Sequence, residues 1–239
     1  MKFYLIFLFC LSSLWLSAEE NLIQNQLKKG RKGDYVVVAQ GKCLTLFHIF
    51  DKSNNALLLE EVAIPSQKAE FAVQSWKEWM AQGAPYHSSW ILYELDLQNR
   101  EIKRYYSFTK RSYFTLAEGD NFLFTLLHLN LQEIPLAQRK KVGLEPRGNQ
   151  PDRRKPWAPK IIFEGHEVPD VSFNAYSARW PEDGTPLSNK LIEIYLPEEN
   201  SRYPSYFPYW LQVRGVIGPS KVRVVDSGEQ LASPQKGFP

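Results

Sequence analysis

Cysteine is scarce in this chain of 239 residues, which contains only Cys10 and Cys43. Cys10 lies within an apolar run at the N-terminus, so removal of that run would leave Cys43 alone and exclude an internal disulfide. The chain also lacks any Asn-x-Ser/Thr acceptor for N-glycosylation. Disulfides are typical of small secreted domains in oxidising compartments, so these two absences favour a bacterial envelope protein over a eukaryotic secreted one.

Motifs for catalysis and cofactor binding are absent as well. The sequence contains no Gly-x-x-x-x-Gly-Lys loop, no Gly-x-Gly-x-x-Gly fingerprint and no Gly-x-Ser-x-Gly elbow. No two histidines have the spacing of metal ligands, and the nearest set, Glu164, His166 and Glu167, is more typical of an exposed loop. The sequence therefore indicates no catalytic residue, no metal and no cofactor. A net charge of +3 is too small to indicate a nucleic-acid partner.

The first 18 residues have the composition of a signal peptide. Lys2 precedes an apolar run that ends at Ala18, and Glu19 begins a polar chain. The run is shorter than the ~20 residues that a helix needs to cross a bilayer. The sequence therefore predicts cleavage after Ala18, export to the periplasm or cell envelope, and no membrane-spanning segment in the processed chain. A retained single-span anchor is the alternative.

The rest of the chain has the pattern of an α+β protein. Aromatic residues make up 14% of the chain, and large aromatic side chains suit strands. We predict a mostly antiparallel β-sheet of two meanders with two packed helices, near 66–82 and 121–131. An N-terminal meander and helix unit spans 19–138, a Pro-rich basic connection spans 139–160, and a C-terminal meander spans 161–239. We expect the two units to pack as one domain.

The clearest single element is a hairpin of residues 90–97 and 102–108, where apolar and polar side chains alternate. Trp76 and Trp79 share one face of the first predicted helix, where they would either hold a ligand or pack on the sheet. The segment after Asp226 is rich in Gly, Ser and Pro and is predicted to fray. The same strand signals predict further strands at 35–39, 43–50, 56–64, 171–180, 191–196, 209–213 and 221–225.

A few polar side chains allow an acid–base site that is assembled from distant strands. Glu94 and Asp96 share one face of a predicted strand, about 7 Å apart, which is compatible with paired carboxylates. The same arrangement is more typical of the solvent side of a hairpin. Joined by His87 or His166, these carboxylates would form a dispersed hydrolase site, and an envelope hydrolase is therefore the alternative function.

The most unusual local composition is the aromatic and proline segment 203–210. Pro204 and Pro208 remove backbone donors, so much of this segment cannot be central strand. An exposed loop of this kind would contact a lipid, glycan or protein partner, whereas a loop folded back over the sheet edge would belong to the core. The candidate binding residues, in this segment and at one Trp-Pro step, are Trp180, Tyr206, Phe207, Tyr209 and Trp210.

Four passages carry a family resemblance: Tyr93-Glu94-Leu95-Asp96-Leu97, Arg104-Tyr105-Tyr106-Ser107-Phe108, Trp180-Pro181-Glu182-Asp183-Gly184 and Pro208-Tyr209-Trp210. On these passages the chain resembles uncharacterised exported proteins of chlamydia-like bacteria, a resemblance that implies no known activity. Its expected architecture is also similar to that of periplasmic lipoprotein or lipid carriers, at the level of fold alone. We therefore expect a non-catalytic binding or carrier protein for an apolar ligand or a protein partner, such as a lipid or an envelope protein.

Overall fold

The computed structural model describes residues 22–115, 121–148, 150–185, 187–198, 203–214 and 221–239. The predicted signal peptide, residues 1–18, lies outside these residues. The described part of the chain contains four α-helices: α1 (Leu22–Lys29), α2 (Ser66–Ala72), α3 (Trp76–Ala81) and α4 (Phe122–His128). A short 3-10 helix covers Leu136–Gln138. None of the described helices is long and apolar enough to span a membrane.

Thirteen strands are described: β1 (Tyr35–Gln40), β2 (Cys43–Lys52), β3 (Ala56–Pro65), β4 (Ser89–Asp96), β5 (Glu101–Ser107), β6 (Ser112–Phe114), β7 (Gln132–Glu133), β8 (Ile161–Phe163), β9 (His166–Val168), β10 (Phe173–Arg179), β11 (Leu191–Pro197), β12 (Trp210–Val213) and β13 (Lys221–Gly228). Eleven of them form one sheet in the order β6-β5-β4-β3-β2-β1-β13-β12-β11-β10-β7. Strands β8 and β9 form a separate hairpin. Every strand pair is antiparallel.

The mostly antiparallel α+β prediction is confirmed, but the prediction of two meanders is wrong. The two runs of strands belong to a single sheet, because β1 pairs with β2 on one side and with β13 on the other. Val36, for example, lies opposite Phe47 on β2 and Ser227 on β13. Alternation within each strand predicts the strand itself, but it does not identify a partner from the far end of the chain.

Each face of the sheet has its own hydrophobic core. On the inner face, α1 and α4 cover the sheet; this core includes Ile23, Leu27, Val36, Phe47, Leu59, Tyr93, Leu126 and Leu127. On the outer face, α2, α3 and the C-terminal segment cover the first strands; this core includes Tyr35, Val37, Leu46, Val62, Trp79, Met80 and Leu231. Alternating side chains of β1 therefore enter different cores, as the period of a strand requires.

The predicted helices form, with different boundaries. The helix expected near 66–82 is divided, because Ser75 adopts an extended conformation and its side chain accepts a hydrogen bond from the Glu78 N–H at 3.1 Å, starting α3. The helix expected near 121–131 ends at His128 and begins after Asn121, whose side chain accepts from the Phe124 N–H at 2.9 Å. The predicted hairpin at 90–108 is confirmed as β4 and β5.

Candidate ligand-binding groove

One candidate site is a cavity of about 720 Å³ on the outer face. Its floor is formed by β1, β2 and β13, and its walls by the α2–α3 segment and the turn between β8 and β9. Apolar side chains supply much of the lining: Tyr35, Leu44, Val73, Trp76, Ile162 and Val225. This volume and mixed lining are typical of sites for small ligands.

One end of this cavity carries two acidic side chains. Asp226 is almost fully buried and accepts a hydrogen bond from the Gly165 N–H at 3.1 Å. Burial raises the pKa of the Asp226 carboxyl, and the neighbouring charge of Glu164 raises it further. Glu164 itself pairs with Lys77 at 2.6 Å, and this hydrogen bond lowers the pKa of Glu164. The Lys77–Glu164 pair joins α3 to the β8–β9 turn across the cavity.

A second cavity of about 430 Å³ adjoins the first, because Ile162, Arg223 and Val225 line both. Its remaining walls include Trp157, Lys160 and Trp210, so the charged residues of its lining are both cationic. We call the two cavities together the outer groove. The groove follows β13, with the acidic side chains at one end and the two tryptophans at the other.

The tryptophan end of the outer groove is aromatic and cationic. The rings of Trp157 and Trp210 meet edge to face, with their centroids 5.0 Å apart. The Lys221 ammonium lies 5.3 Å from the Trp210 ring, and the Lys140 ammonium lies 5.6 Å from the Trp157 ring. Both distances are within the range of cation–π attraction. The Trp210 indole N–H is buried and finds no acceptor among the described residues.

Arg223 stands at the junction of the two cavities. Its register partners are Ala39 on β1 and Trp210 on β12, so these three side chains share the outer face. Arg223 is exposed, and within the described part of the chain its guanidinium makes neither a hydrogen bond nor an ion pair. An uncompensated guanidinium beside an aromatic wall is well suited to bind a planar or tetrahedral oxyanion.

The five sequence-predicted binding residues fall into two groups. Trp180, Tyr206 and Phe207 are nearly inaccessible, which corresponds to the alternative of a loop folded into the core. The Tyr206 hydroxyl donates to backbone carbonyl oxygens of Asp34 and Phe47, at 3.1 and 3.2 Å. The rings of Phe47, Phe207, Phe122 and Trp180 form a stacked series. These rings pack against one another in the core. Trp180, Tyr206 and Phe207 line neither of the two cavities, so their binding role stays a prediction.

The other two predicted residues, Tyr209 and Trp210, line the smaller cavity. Tyr209 is buried and donates from its hydroxyl to the Ser227 hydroxyl at 3.0 Å, so it contributes a wall rather than an exposed contact. Trp210 is only partly buried. The two helical tryptophans were predicted either to hold a ligand or to pack on the sheet. Trp79 is buried in the outer core, whereas Trp76 lines the larger cavity.

Each residue of the hydrolase alternative is engaged with a partner outside that set or with a backbone group. Glu94 pairs with Arg104 at 2.6 Å, and Asp96 pairs with Lys103 at 2.6 Å. His87 and His166 each have a ring nitrogen hydrogen-bonded to a backbone carbonyl, of Ala84 and Glu164 respectively. Within the described residues, no hydrogen bond or ion pair joins either carboxylate to either histidine. Among the described residues, no group of three His, Cys, Asp or Glu side chains could hold a metal ion.

Sequence reasoning missed one ionisable side chain on the inner face. Glu61 lies between Phe47 and Ile91 in the sheet register, and it makes no hydrogen bond or ion pair with a described residue. Burial raises the pKa of the Glu61 carboxyl to about 7. The nearby Tyr93 hydroxyl is buried and lacks a hydrogen bond of ordinary geometry among the described residues. The sequence signal that could have found it is the strand period, because Leu59 and Glu61 are two residues apart in β3 and therefore share a face.

The comparisons with known proteins place the chain in a family. A family model described as CT021 protein matches residues 45–169, just over half of the chain, so the chain belongs to the CT021 family. Two of the four passages that resembled chlamydial proteins, those beginning at Tyr93 and Arg104, lie inside the matched segment. A search of curated proteins gives no match.

A solved structure shares the fold. The hypothetical protein CT021 from Chlamydia trachomatis matches with a TM-score of 0.62 and 22% sequence identity, over 91% of this chain and 96% of that one. At this identity the likeness shows the fold alone. The resemblance to uncharacterised chlamydial proteins is thus confirmed.

Proposed function

We propose that this protein is an exported, non-catalytic binding protein of the bacterial envelope, and that the outer groove holds the apolar part of its ligand. The observation that carries the proposal is the pair of adjoining cavities, about 720 and 430 Å³, along β13. Apolar side chains line both, together with a few charged side chains, of which Arg223 stands at the junction of the two cavities. Ligand sites combine an apolar lining with a few polar groups in this way.

The composition of the N-terminus supports the export part of the proposal. Lys2, the apolar run and Ala18 have the order of a signal peptide. The polar residues of the groove support binding rather than catalysis, because Glu164 is already paired with Lys77 and the described lining places no histidine or cysteine beside the carboxylates. A general base needs a free hydrogen-bond position toward its substrate.

Export and native mass spectrometry test this proposal together. The full chain is expressed in a bacterium that exports proteins, and the periplasmic protein is weighed under native and denaturing conditions. We expect a chain that begins at Glu19 and carries a stoichiometric adduct, which is released on denaturation. Recovery of the uncleaved chain from the cytosol would contradict export, and a bare native mass would contradict the carrier function.

A groove-filling variant locates the adduct. Ala39 lines the larger cavity and is partly buried, so Ala39→Trp places an indole in the groove. Ala56, also partly buried, begins β3 and lies outside both linings, so Ala56→Trp is the matched control. We expect loss of the adduct in Ala39→Trp alone. Retention of the adduct by a folded Ala39→Trp protein would exclude the groove as the site.

A further inference from the structure

We propose, as a deepening of the proposed function on which it rests, that the outer groove selects amphiphiles that carry an oxyanion, and that Arg223 receives the oxyanion. The ligand class is an apolar chain that ends in a phosphate or carboxylate group. The oxyanion lies at the junction of the two cavities, and the chain occupies the larger cavity. Neither the groove nor this selectivity follows from the family match.

The first support is the charge of the smaller cavity. Its lining contains two cationic side chains, Lys160 and Arg223, and no acidic one. Two further ammonium groups, those of Lys140 and Lys221, lie over the rings of Trp157 and Trp210 at its wall. The Lys140 and Lys221 ammonium groups lie 5.6 and 5.3 Å from these rings. A cleft lined by charges of one sign raises the local concentration of the opposite ion.

The second support is the state of Arg223. Lys160 is paired with Glu167 at 2.8 Å, whereas Arg223 has no partner among the described residues although it borders both cavities. A guanidinium presents a planar fork of donors that matches two oxygens of a carboxylate or phosphate. The position of Arg223 between Ala39 and Trp210 places this fork above the groove floor.

Three acidic side chains line the larger cavity, Glu70, Glu164 and Asp226, and their surroundings are compatible with this ligand. Glu70 lies on α2 and is exposed to solvent. The charge of Glu164 is compensated by Lys77 at 2.6 Å. Asp226 is almost fully buried and accepts from the Gly165 N–H. The apolar chain of the ligand would therefore meet Leu44, Val73 and Trp76, and the anionic group would face the cationic end.

Titration with short-chain probes tests the selectivity. The full-length exported protein is titrated with octyl phosphate, 1-octanol, octylamine and inorganic phosphate, and binding is followed by calorimetry and by tryptophan fluorescence. We expect octyl phosphate to bind at least about tenfold more tightly than 1-octanol, because a bidentate charge-assisted contact is added to the same apolar contact. Octylamine and inorganic phosphate should each bind more weakly than octyl phosphate.

Two variants assign the selectivity to Arg223. Arg223→Gln should lose the preference for octyl phosphate and bind 1-octanol as the wild type does, which also shows that the groove is intact. The matched control is Arg179→Gln, because Arg179 is an exposed strand arginine outside both linings. It should keep the wild-type preference.

The outcomes separate the two proposals. Equal binding of octyl phosphate and 1-octanol, or tighter binding of octylamine, would overturn the oxyanion inference and leave the groove as an apolar site. Binding of inorganic phosphate as tightly as octyl phosphate would identify a free-anion site and overturn the amphiphile class. A wild-type preference in Arg223→Gln would remove Arg223 from the site. Failure of all four probes to bind would overturn both proposals.

Discussion

Two side chains, Arg223 and Glu61, have surroundings that the alternation of their own strands does not predict. Lys221 and Arg223 alternate with Val222 and Val224, which predicts a strand with a solvated polar side. The strand forms, but Arg223 stands between two cavities. Local alternation assigns a side chain to a face, whereas the surroundings of that face depend on segments that are distant in the chain.

Glu61 predicts a pH dependence of stability. Its pKa of about 7 in the folded protein exceeds its ordinary value of 4.5, so the folded state binds the proton more tightly than the unfolded state. Stability is then fully present below about pH 4.5 and is lost as the pH rises toward 7, by an upper bound of about 3 kcal/mol. Glu61→Gln should therefore be more stable than the wild type at pH 8 and nearly equal to it at pH 4.

Urea denaturation at the two pH values checks this expectation. Glu101→Gln, at an exposed position of β5, is the control and should leave the pH dependence of the wild type unchanged. An equal difference between Glu61→Gln and the wild type at pH 4 and pH 8 would show that Glu61 titrates normally in the folded protein.

A side chain at position 228 would clash with the Tyr35 ring beneath the groove floor. A Cβ at this position would lie 2.5 Å from the Tyr35 ring, and Tyr35 is the cross-strand partner of Gly228. Because the ring is buried and cannot move away freely, Gly228→Ala should lower the free energy of unfolding by about 1–3 kcal/mol. In a double-mutant cycle, the same change in a Tyr35→Ala background should cost much less. Equal costs in both backgrounds would contradict this contact.

The helices and the C-terminal segment show where local signals fail. The pattern of residues 66–82 predicts one helix, but the extended Ser75 divides it, and Trp76 lines the larger cavity. The prediction that the segment after Asp226 frays is wrong. Leu231 is buried in the outer core, and the Ser233 hydroxyl donates to the buried Glu60 carboxylate at 2.7 Å. Gly, Ser and Pro favour an irregular backbone. An irregular terminal segment is nevertheless ordered when its apolar side chains pack in the core.

Leu231 therefore predicts a stabilising role for this segment. Leu231→Ala removes a fully packed side chain and should lower the free energy of unfolding by about 2 kcal/mol or more. Lys236→Ala, at an exposed position of the same segment, should change it by less than about 0.5 kcal/mol. Chemical denaturation measures both values. Equal, negligible effects of the two substitutions would indicate a frayed segment.

The architecture as a whole rests on one long-range pairing, between β1 and β13. The sequence identifies most strands and the antiparallel hairpin, because alternation and turn residues are local signals. It does not identify the joining of the two strand runs into one sheet, since that depends on pairing between the two ends of the described chain. The outer groove lies along this junction. Among its residues, only Trp76, Tyr209 and Trp210 were recognisable in advance as candidate ligand contacts, Trp76 by its helical spacing and the other two by their unusual local composition.

A crystal structure of the exported protein, purified without detergent, would show whether the outer groove holds an amphiphile against Arg223. We expect electron density for an elongated molecule in the outer groove, with its polar end within hydrogen-bond distance of the Arg223 guanidinium and its chain against Trp76 and Val73. Ordered water throughout both cavities, together with a bound molecule on the inner face beside Glu61, would contradict this expectation.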